Sequence, residues 1–218
     1  MPGFSPPPAD CRLCPRLVGL RHDCRENHSD WFNAPVPSFG DLDARLLIVG
    51  LAPGLRGANR TGRPFTGDAA GGYLFDMLAR FGLADGTYDR DGHDDIRLRG
   101  TRITNAVRCL PPENKPVAAE VTACRRYLTA EIDAMPQLRT ILTLGRLAHD
   151  ATLASLEIAR KDAAFGHAAC YDVNTGDRRF RLVSSYHCSR YNTQTGRLTD
   201  EMFAEIFEII TGNAAAAG

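Results

Sequence analysis

Continuous apolar runs alternate with segments of helical periodicity along most of this 218-residue chain. A short apolar run such as "ARLLIVGL" (44–51) is typical of a buried strand, whereas "AAGGYLFDMLARFGL" (69–83) repeats its apolar residues at helical spacing. Further strands are predicted at 101–107, at 138–145 and on both sides of the "NTGD" turn within 168–187. Further helices are predicted at 117–135, 146–156 and 198–211. The alternation predicts a single-domain, three-layer α/β/α fold with a mostly parallel central sheet.

The segments outside this alternation are predicted to have little regular structure. Residues 1–10 are rich in proline and are expected to form a flexible lead-in, and 213–218 are expected to form a disordered tail. Residues 11–40 contain many polar residues and several prolines. We therefore expect an irregular segment that is held against the sheet by an interaction other than hydrophobic packing. One domain is therefore expected over 11–212.

Composition and charge limit the class of protein only loosely. The chain has 44% hydrophobic and 24% charged residues, which excludes a disordered or fibrous protein. It has neither a basic start with an apolar segment nor an apolar run of roughly 20 residues, and a cytoplasmic protein is predicted. A net charge of zero argues mildly against a nucleic-acid partner. All basic residues except Lys115 and Lys161 are arginine, which suits phosphate, although a compositional bias explains this equally well.

The seven cysteines point to metal binding rather than to a disulfide framework, because their number is odd and the predicted compartment is reducing. Cys11 and Cys14 form a C-x2-C pair, and Cys109 and Cys124 lie on either side of a turn and a helix. Four thiolates from two distant segments can hold zinc or a cubane iron–sulfur cluster, and the spacing does not choose between them. A structural role is expected. The remaining three, Cys24, Cys170 and Cys188, are interpreted as buried free cysteines.

The loop "GLAPGLRGANRTGRPFTGD" (50–68) follows the first predicted strand. It lacks the Gly-Lys-Ser/Thr of a P-loop, which disfavours ATP hydrolysis. Its backbone donors around Gly50, Leu51, Ala52 and Gly54, with the ring of Phe65 and the carboxylate of Asp68, suit a planar heterocycle with an activated water beside it. The alternatives are that Phe65 is a core residue and that Asp68 is only the N-cap of the next helix. Its arginines, which could equally form a solvated rim, are Arg56, Arg60 and Arg63.

Two more polar features fall at the ends of predicted strands. Asn105 interrupts an apolar strand, and its amide offers a donor and an acceptor that match the O4 and N3–H edge of uracil or satisfy the neighbouring backbone. His187 opens the loop "HCSRYNTQTGR", which suits a phosphate backbone. Its candidate DNA contacts are Ser189, Arg190, Tyr191 as a wedge, Asn192 and Arg197. In a parallel sheet these segments converge with the first loop beyond the carboxyl ends of the strands.

Taken in order, "GLAPG…NRTGRPFTGD", "TNAVRCLPPENKP…C", "LTLGRLAHDA" and "HCSRYNTQTGRLT" resemble the uracil-DNA glycosylase superfamily. The resemblance extends from Cys11 to the last helix and is strongest to the family 5 iron–sulfur glycosylases, then to family 4. It implies a monomer that hydrolyses the N-glycosidic bond of a deaminated base flipped out of double- or single-stranded DNA. It also implies that the four paired cysteines bind a 4Fe–4S cluster.

The resemblance assigns roles to the polar residues. Phe65 matches the residue that stacks on the flipped base, Asn105 the one that reads the pyrimidine edge, and His187 the one that hydrogen-bonds the base carbonyl as negative charge develops. The stretch "GLAPG" has no side chain able to position water, a gap that family 5 shares, so Asp68 is the expected substitute, with help from Asn105. The bare stretch also predicts a roomier pocket that accepts hypoxanthine and xanthine besides uracil. Cys188 stands where proline is common.

A function of another class fits the same residues. The fold could serve as an iron–sulfur DNA- or nucleotide-binding module without turnover, which zero net charge and the bare first motif favour. Asp68 and His187 favour the enzyme.

Overall fold

The computed structural model describes residues 4–212 and contains a five-stranded sheet between two layers of helices. The strands of the sheet are β1 (Leu46–Gly50), β4 (Thr101–Asn105), β5 (Thr140–Leu144), β6 (Cys170–Thr175) and β7 (Arg178–Ser185). A separate two-stranded ribbon pairs β2 (Ala84–Asp85) with β3 (Arg97–Leu98). The helices are α1 (Pro15–Asn27), α2 (Ala58–Thr61), α3 (Ala69–Arg80), α4 (Ala118–Asp133), α5 (Arg146–Ser155), α6 (Arg190–Gln194) and α7 (Asp200–Thr211).

The sheet has the order β4-β1-β5-β7-β6, and its first four strands run parallel. Only the edge strand β6 is antiparallel, because it forms a hairpin with β7. In the register of the central pair, Gly50 lies opposite Asn105, so both strands end side by side. The predicted α/β fold with a mostly parallel sheet is confirmed.

The two faces of the sheet carry separate hydrophobic cores. Ile48 of β1 packs into a core with α3 and α7, while its neighbours Leu47 and Val49 pack into a core with α4 and α5. Successive side chains of a strand point to opposite faces, which is why the continuous apolar run of β1 is buried on both sides. The three-layer prediction is thereby confirmed.

The segment from Cys11 to Gly40, predicted to be irregular, contains helix α1 instead. Pro15 occupies its first turn, where a missing N–H costs nothing. The buried face of α1 consists of Leu17, Arg21 and Cys24, which have helical spacing but include a charged residue in a core position. Counting apolar residues therefore did not reveal the helix. Two shorter helices, α2 and α6, likewise occur within segments predicted as loops.

A buried ionic network joins β4 to α4. Glu131 has no exposed surface and binds both Arg102 and Arg108, and its carboxylate also accepts a hydrogen bond of 2.9 Å from the hydroxyl of Thr104. Burial opposes ionisation of Glu131, but the two guanidinium groups outweigh it and lower its pKa below the ordinary value. The network fixes the strand that ends in Asn105.

The terminal predictions fall partly outside the described residues. Residues 1–3 of the predicted lead-in and the predicted tail, 213–218, lie there. The rest of the lead-in contacts the protein: Asp10 accepts a hydrogen bond of 2.7 Å from Arg25, and Pro7 lies against Cys11 and Cys14 in a common cavity wall. Within residues 4–212, no helix combines the length and apolar character needed to cross a membrane.

Candidate active site and cysteine cavity

A cavity opens beyond the carboxyl ends of β1, β4 and β7, where the predicted site segments meet. It has about 360 Å³ of space between atoms, part of it open to solvent. Its walls are formed by Ala52, Pro53, Gly54, Ala58, Phe65, Thr66, Asp68, Ala70, Asn105 and His187. Four residues predicted to act on a ligand, which are Phe65, Asn105, Asp68 and His187, thus share one cavity. We call it the base cavity.

Gly50 explains part of the glycine content of the first loop. A Cβ atom on Gly50 would lie 2.5 Å from Oδ1 of Asn105 and 2.9 Å from Cζ of Phe65. Both side chains therefore approach β1 only because this residue has no side chain. Leu51, predicted to bind the ligand, is not among the residues that line the cavity, and its carbonyl accepts a hydrogen bond from the backbone N–H of Val107.

The amide of Asn105 is available to a ligand. The residue is 4% exposed, yet its side chain makes no hydrogen bond to any group within residues 4–212. A buried amide is rarely left without a partner, so this geometry favours ligand binding over the structural interpretation. The backbone N–H groups of Ala52 and Gly54 likewise find no acceptor in the described part of the chain. Both residues line the same cavity.

Asp68 performs the predicted helix capping and still presents an oxygen to the cavity. Its Oδ1 accepts a hydrogen bond of 3.0 Å from the backbone N–H of Gly71 in the first turn of α3. Its Oδ2 lies 4.0 Å from the position of a Cβ on Gly54, on the opposite wall. The two interpretations of Asp68 are therefore compatible. Asn114, for which sequence reasoning predicted no role, has its Oδ1 3.9 Å from the same position and has left-handed backbone, as does Glu113.

His187 lies across the cavity from Phe65, with ring centroids 6.2 Å apart and planes inclined by 20°. Burial lowers the pKa of His187 below 6.5, and the nearby carboxylate of Asp68 opposes this only in part. The imidazole is therefore neutral at neutral pH and has one N–H to donate. Asn192, predicted to contact DNA, instead donates a hydrogen bond of 2.8 Å to the carbonyl of His187 and so holds its backbone.

The arginines of the first loop differ in what they contact. Arg63 is not free to bind DNA as predicted: its side chain is 14% exposed, pairs with Asp94, and stacks over the rings of Phe39 and Phe75. This corrects its assignment, and its role is to brace the loop. Arg60 pairs with Asp91, whereas Arg56 is exposed.

The loop after His187 presents several side chains to solvent. Tyr191, the predicted wedge, is 70% exposed, and Arg190 is exposed beside it. Ser189 caps α6 by accepting a hydrogen bond from the backbone N–H of Asn192. Arg197 lies over the ring of Tyr186, with its guanidinium carbon 4.9 Å from the centroid. Tyr191 and Arg190 are thus placed for an external partner.

A second, nearly apolar cavity contains the four cysteines predicted to bind a metal. Cys11 and Cys14 enter it from the start of α1, Cys109 from the loop after β4, and Cys124 from α4. Among residues 4–212, no group of three or more His, Cys, Asp or Glu side chains converges tightly enough for a single metal ion. The four cysteines nevertheless line one cavity, to which three separate segments of the chain contribute.

The thiols are buried, and their surroundings disfavour the thiolate form except for one nearby cation, Arg21. Burial and neighbouring thiols raise the pKa of Cys14 to about 11 and of Cys109 to about 12, so thiolates need a bound cation. Arg21 is buried in the same wall, lies 3.8 Å from the sulfur of Cys109, and has an Nε without a partner within residues 4–212. Of the other cysteines, Cys24 and Cys188 are buried as predicted, but Cys170 is exposed because β6 is an edge strand.

Comparison with known proteins gives a consistent result. The sequence model of the uracil DNA glycosylase superfamily matches residues 37–211. A type-5 uracil-DNA glycosylase of Thermus thermophilus is 46% identical over 201 residues, which cover 90% of both chains. A type-5 uracil-DNA glycosylase of Pyrobaculum aerophilum is 41% identical over 210 residues, which cover 94% of this chain and 89% of the relative. A type-4 uracil-DNA glycosylase of Archaeoglobus fulgidus is 31% identical, covering 70% and 69%.

Proposed function

The chain belongs to the uracil-DNA glycosylase superfamily, and we propose that it hydrolyses the N-glycosidic bond of uracil in DNA during repair and leaves an abasic site. One observation carries this proposal: Phe65, Asn105, Asp68 and His187 face a single cavity at the carboxyl edge of the sheet. The names of relatives that are 46% and 41% identical support the activity. The geometry of the cavity supports the role proposed below for each residue.

The base enters the cavity after it has been flipped out of the helix, which costs a few kcal/mol in a duplex. Phe65 stacks on its face, and the unpartnered amide of Asn105 pairs with its edge. Gly50 has no side chain, so the side chains of Phe65 and Asn105 lie directly against the backbone of β1, which positions both contacts to the base. Exposed residues beside the cavity, Arg56, Arg190 and Tyr191, contact the DNA.

Cleavage builds positive charge on the sugar and negative charge on the departing base. Neutral His187 donates a hydrogen bond to the base carbonyl, and the free backbone N–H groups of Ala52 and Gly54 stabilise the same negative charge. Asp68 uses Oδ2 to orient the attacking water and to accept its proton, while Oδ1 keeps the carboxylate fixed on α3.

Cys11, Cys14, Cys109 and Cys124 fit a 4Fe–4S cluster, which we propose as the cofactor in preference to zinc. The four cysteines line one cavity whose wall also contains the buried guanidinium of Arg21, and a nearby positive charge suits an anionic cluster. When bound, the cluster supplies a structural crosslink between α1, α4 and the loop after β4.

The range of substrates is a further part of the proposal. Ala52 and Pro53 line the cavity and have no polar side chains, which favours acceptance of hypoxanthine and xanthine besides uracil.

The proposal also covers the form of the DNA, the oligomeric state and the compartment. The protein acts on double- and single-stranded DNA as a monomer. The odd number of cysteines, four of which we assign to the cluster, suits the reducing environment of the cytoplasm, where we place the protein.

The test is incubation of the purified protein with a duplex that contains one uracil, followed by alkali. Strand breakage at the uracil is expected, and matched duplexes with hypoxanthine, xanthine or no damaged base establish the range. Binding of the uracil duplex without breakage would instead identify a DNA-binding module without turnover. The visible absorption of the purified protein distinguishes an iron–sulfur cluster from colourless zinc.

A further inference from the structure

A groove lies next to the base cavity on the far side of Asp68. Asp68, Ala70 and His187 belong to both spaces, and the outer walls of the groove are formed by Arg90 and Arg190. Arg190 belongs to α6, whereas Arg90 belongs to the segment 86–96, to which neither the sequence patterns nor the proposed chemistry assigns a role. The groove thus has a positively charged group on each side of the carboxylate that activates water.

The position of Arg90 is set by the protein. Its guanidinium donates a hydrogen bond of 2.9 Å to the carbonyl of Gly67, and its own carbonyl accepts one of 2.6 Å from the N–H of Gly67. Nearby, the hydroxyl of Tyr88 donates to the carbonyl of Phe65 at 3.1 Å. The segment 86–96 is therefore fastened to the two residues that precede and follow Thr66 in the cavity wall.

In the segment 86–96, ion pairs neutralise two of the acidic side chains but not Arg90. Asp91 and Asp94 of the same segment pair with Arg60 and Arg63. Arg90, by contrast, forms no ion pair within residues 4–212 and is exposed. Arg190 also has no carboxylate partner in the part of the chain that the structure describes. Two exposed guanidinium groups across a groove are a site for anions, and guanidinium suits phosphate.

The reaction geometry places a nucleotide backbone in this groove. When the base occupies the base cavity, its sugar carbon must lie against Asp68, because the water attacks there. The sugar and its two phosphates then leave the cavity on the side where Asp68 and His187 also line the groove. We propose that Arg90 and Arg190 bind the phosphates on either side of the extruded nucleotide, so that 86–96 is a DNA-contacting segment. This inference rests on the proposed function.

The test compares Arg90→Gln with Arg45→Gln, which removes the same charge from an exposed position at the opposite edge of the sheet. Binding to a duplex with a non-hydrolysable abasic-site analogue is measured at several salt concentrations. For Arg90→Gln we expect binding about ten-fold weaker at low salt. The slope of log affinity against log salt should become shallower by about 0.9, as for one lost phosphate contact. Arg45→Gln should match the wild type, and Arg90→Lys should keep the wild-type slope.

Several results would overturn the inference. An unchanged slope for Arg90→Gln, with wild-type excision of uracil intact, removes the contact and leaves the proposed function standing. If Arg90→Gln lowers the melting temperature, Arg190→Gln provides the independent measurement, because the side chain of Arg190 is exposed and forms no ion pair within residues 4–212. An unchanged salt slope for Arg190→Gln would also overturn the inference. A wild-type protein that neither binds nor cleaves uracil DNA refutes the proposed function and the inference with it.

Discussion

Replacing Asp68 by asparagine separates the two roles of this side chain. In the structure Oδ1 caps α3 through the N–H of Gly71 at 3.0 Å, while Oδ2 faces Gly54 across the base cavity. Asparagine caps a helix about as well as aspartate, so Asp68→Asn keeps the cap but loses the oxygen that can accept a proton. Asp68→Ala loses both. The pair of variants therefore assigns each effect to one oxygen.

The magnitudes follow from these contacts. Loss of a positioned general base lowers the rate by about 10² to 10⁴, and this loss is expected for both variants. Loss of the cap costs about 1 kcal/mol, which for a chain of this size corresponds to about 2–4 °C in melting temperature. That decrease is expected for Asp68→Ala and not for Asp68→Asn. Thr199→Ala is the matched control, because Thr199 caps α7 by accepting from the N–H of Met202 at 3.2 Å, far from the cavity.

The assay is single-turnover excision from a uracil duplex with enzyme in excess, together with a thermal melt of each variant. Thr199→Ala should melt about as low as Asp68→Ala and should cleave at the wild-type rate. Wild-type cleavage by Asp68→Asn would refute the chemical role and leave Asp68 as a cap alone. Wild-type melting of Asp68→Ala would refute the capping argument.

Four further predictions test other parts of the structure. Gly50→Ala should lower excision by at least ten-fold in single-turnover assays, because its Cβ would lie 2.5 Å from Oδ1 of Asn105; wild-type rates would contradict the cavity geometry. His187→Ala should flatten the dependence of melting temperature on pH below 6.5. The lowered pKa of His187 means that the unfolded chain takes up the proton first, so wild-type stability falls with pH there. An equal fall in both proteins would exclude His187 as its source. Glu131→Gln should cost about 3–5 kcal/mol in urea denaturation, because two buried guanidinium groups lose their counter-charge, and a loss below 1 kcal/mol would contradict this. Cys124→Ser should abolish the visible colour of the purified protein; retained colour and iron content would remove this ligand.

The position of the site in the fold could be predicted from the sequence because the signals are local. An apolar run such as 44–51, in alternation with helical patterns, is typical of a strand buried on both faces of a parallel sheet, and parallel strands bring their carboxyl ends to one edge. Asp68 before an apolar helical pattern is a local capping signal, and the cap is present. The convergence of Phe65, Asn105 and His187 follows from the same topology.

Other features depend on contacts between distant residues, and no local pattern contains them. Helix α1 was missed because Arg21 occupies a core position, which makes sense only beside the cysteine cavity that distant segments complete. The sequence places Arg63 among candidate DNA contacts, but packing gives it Asp94 and two aromatic rings as partners. Periodicity and capping are properties of neighbouring residues, so the chain alone determined the sheet and the place of its site. The partner of each charge is selected by packing and desolvation between residues far apart in sequence, and only the tertiary structure decided it.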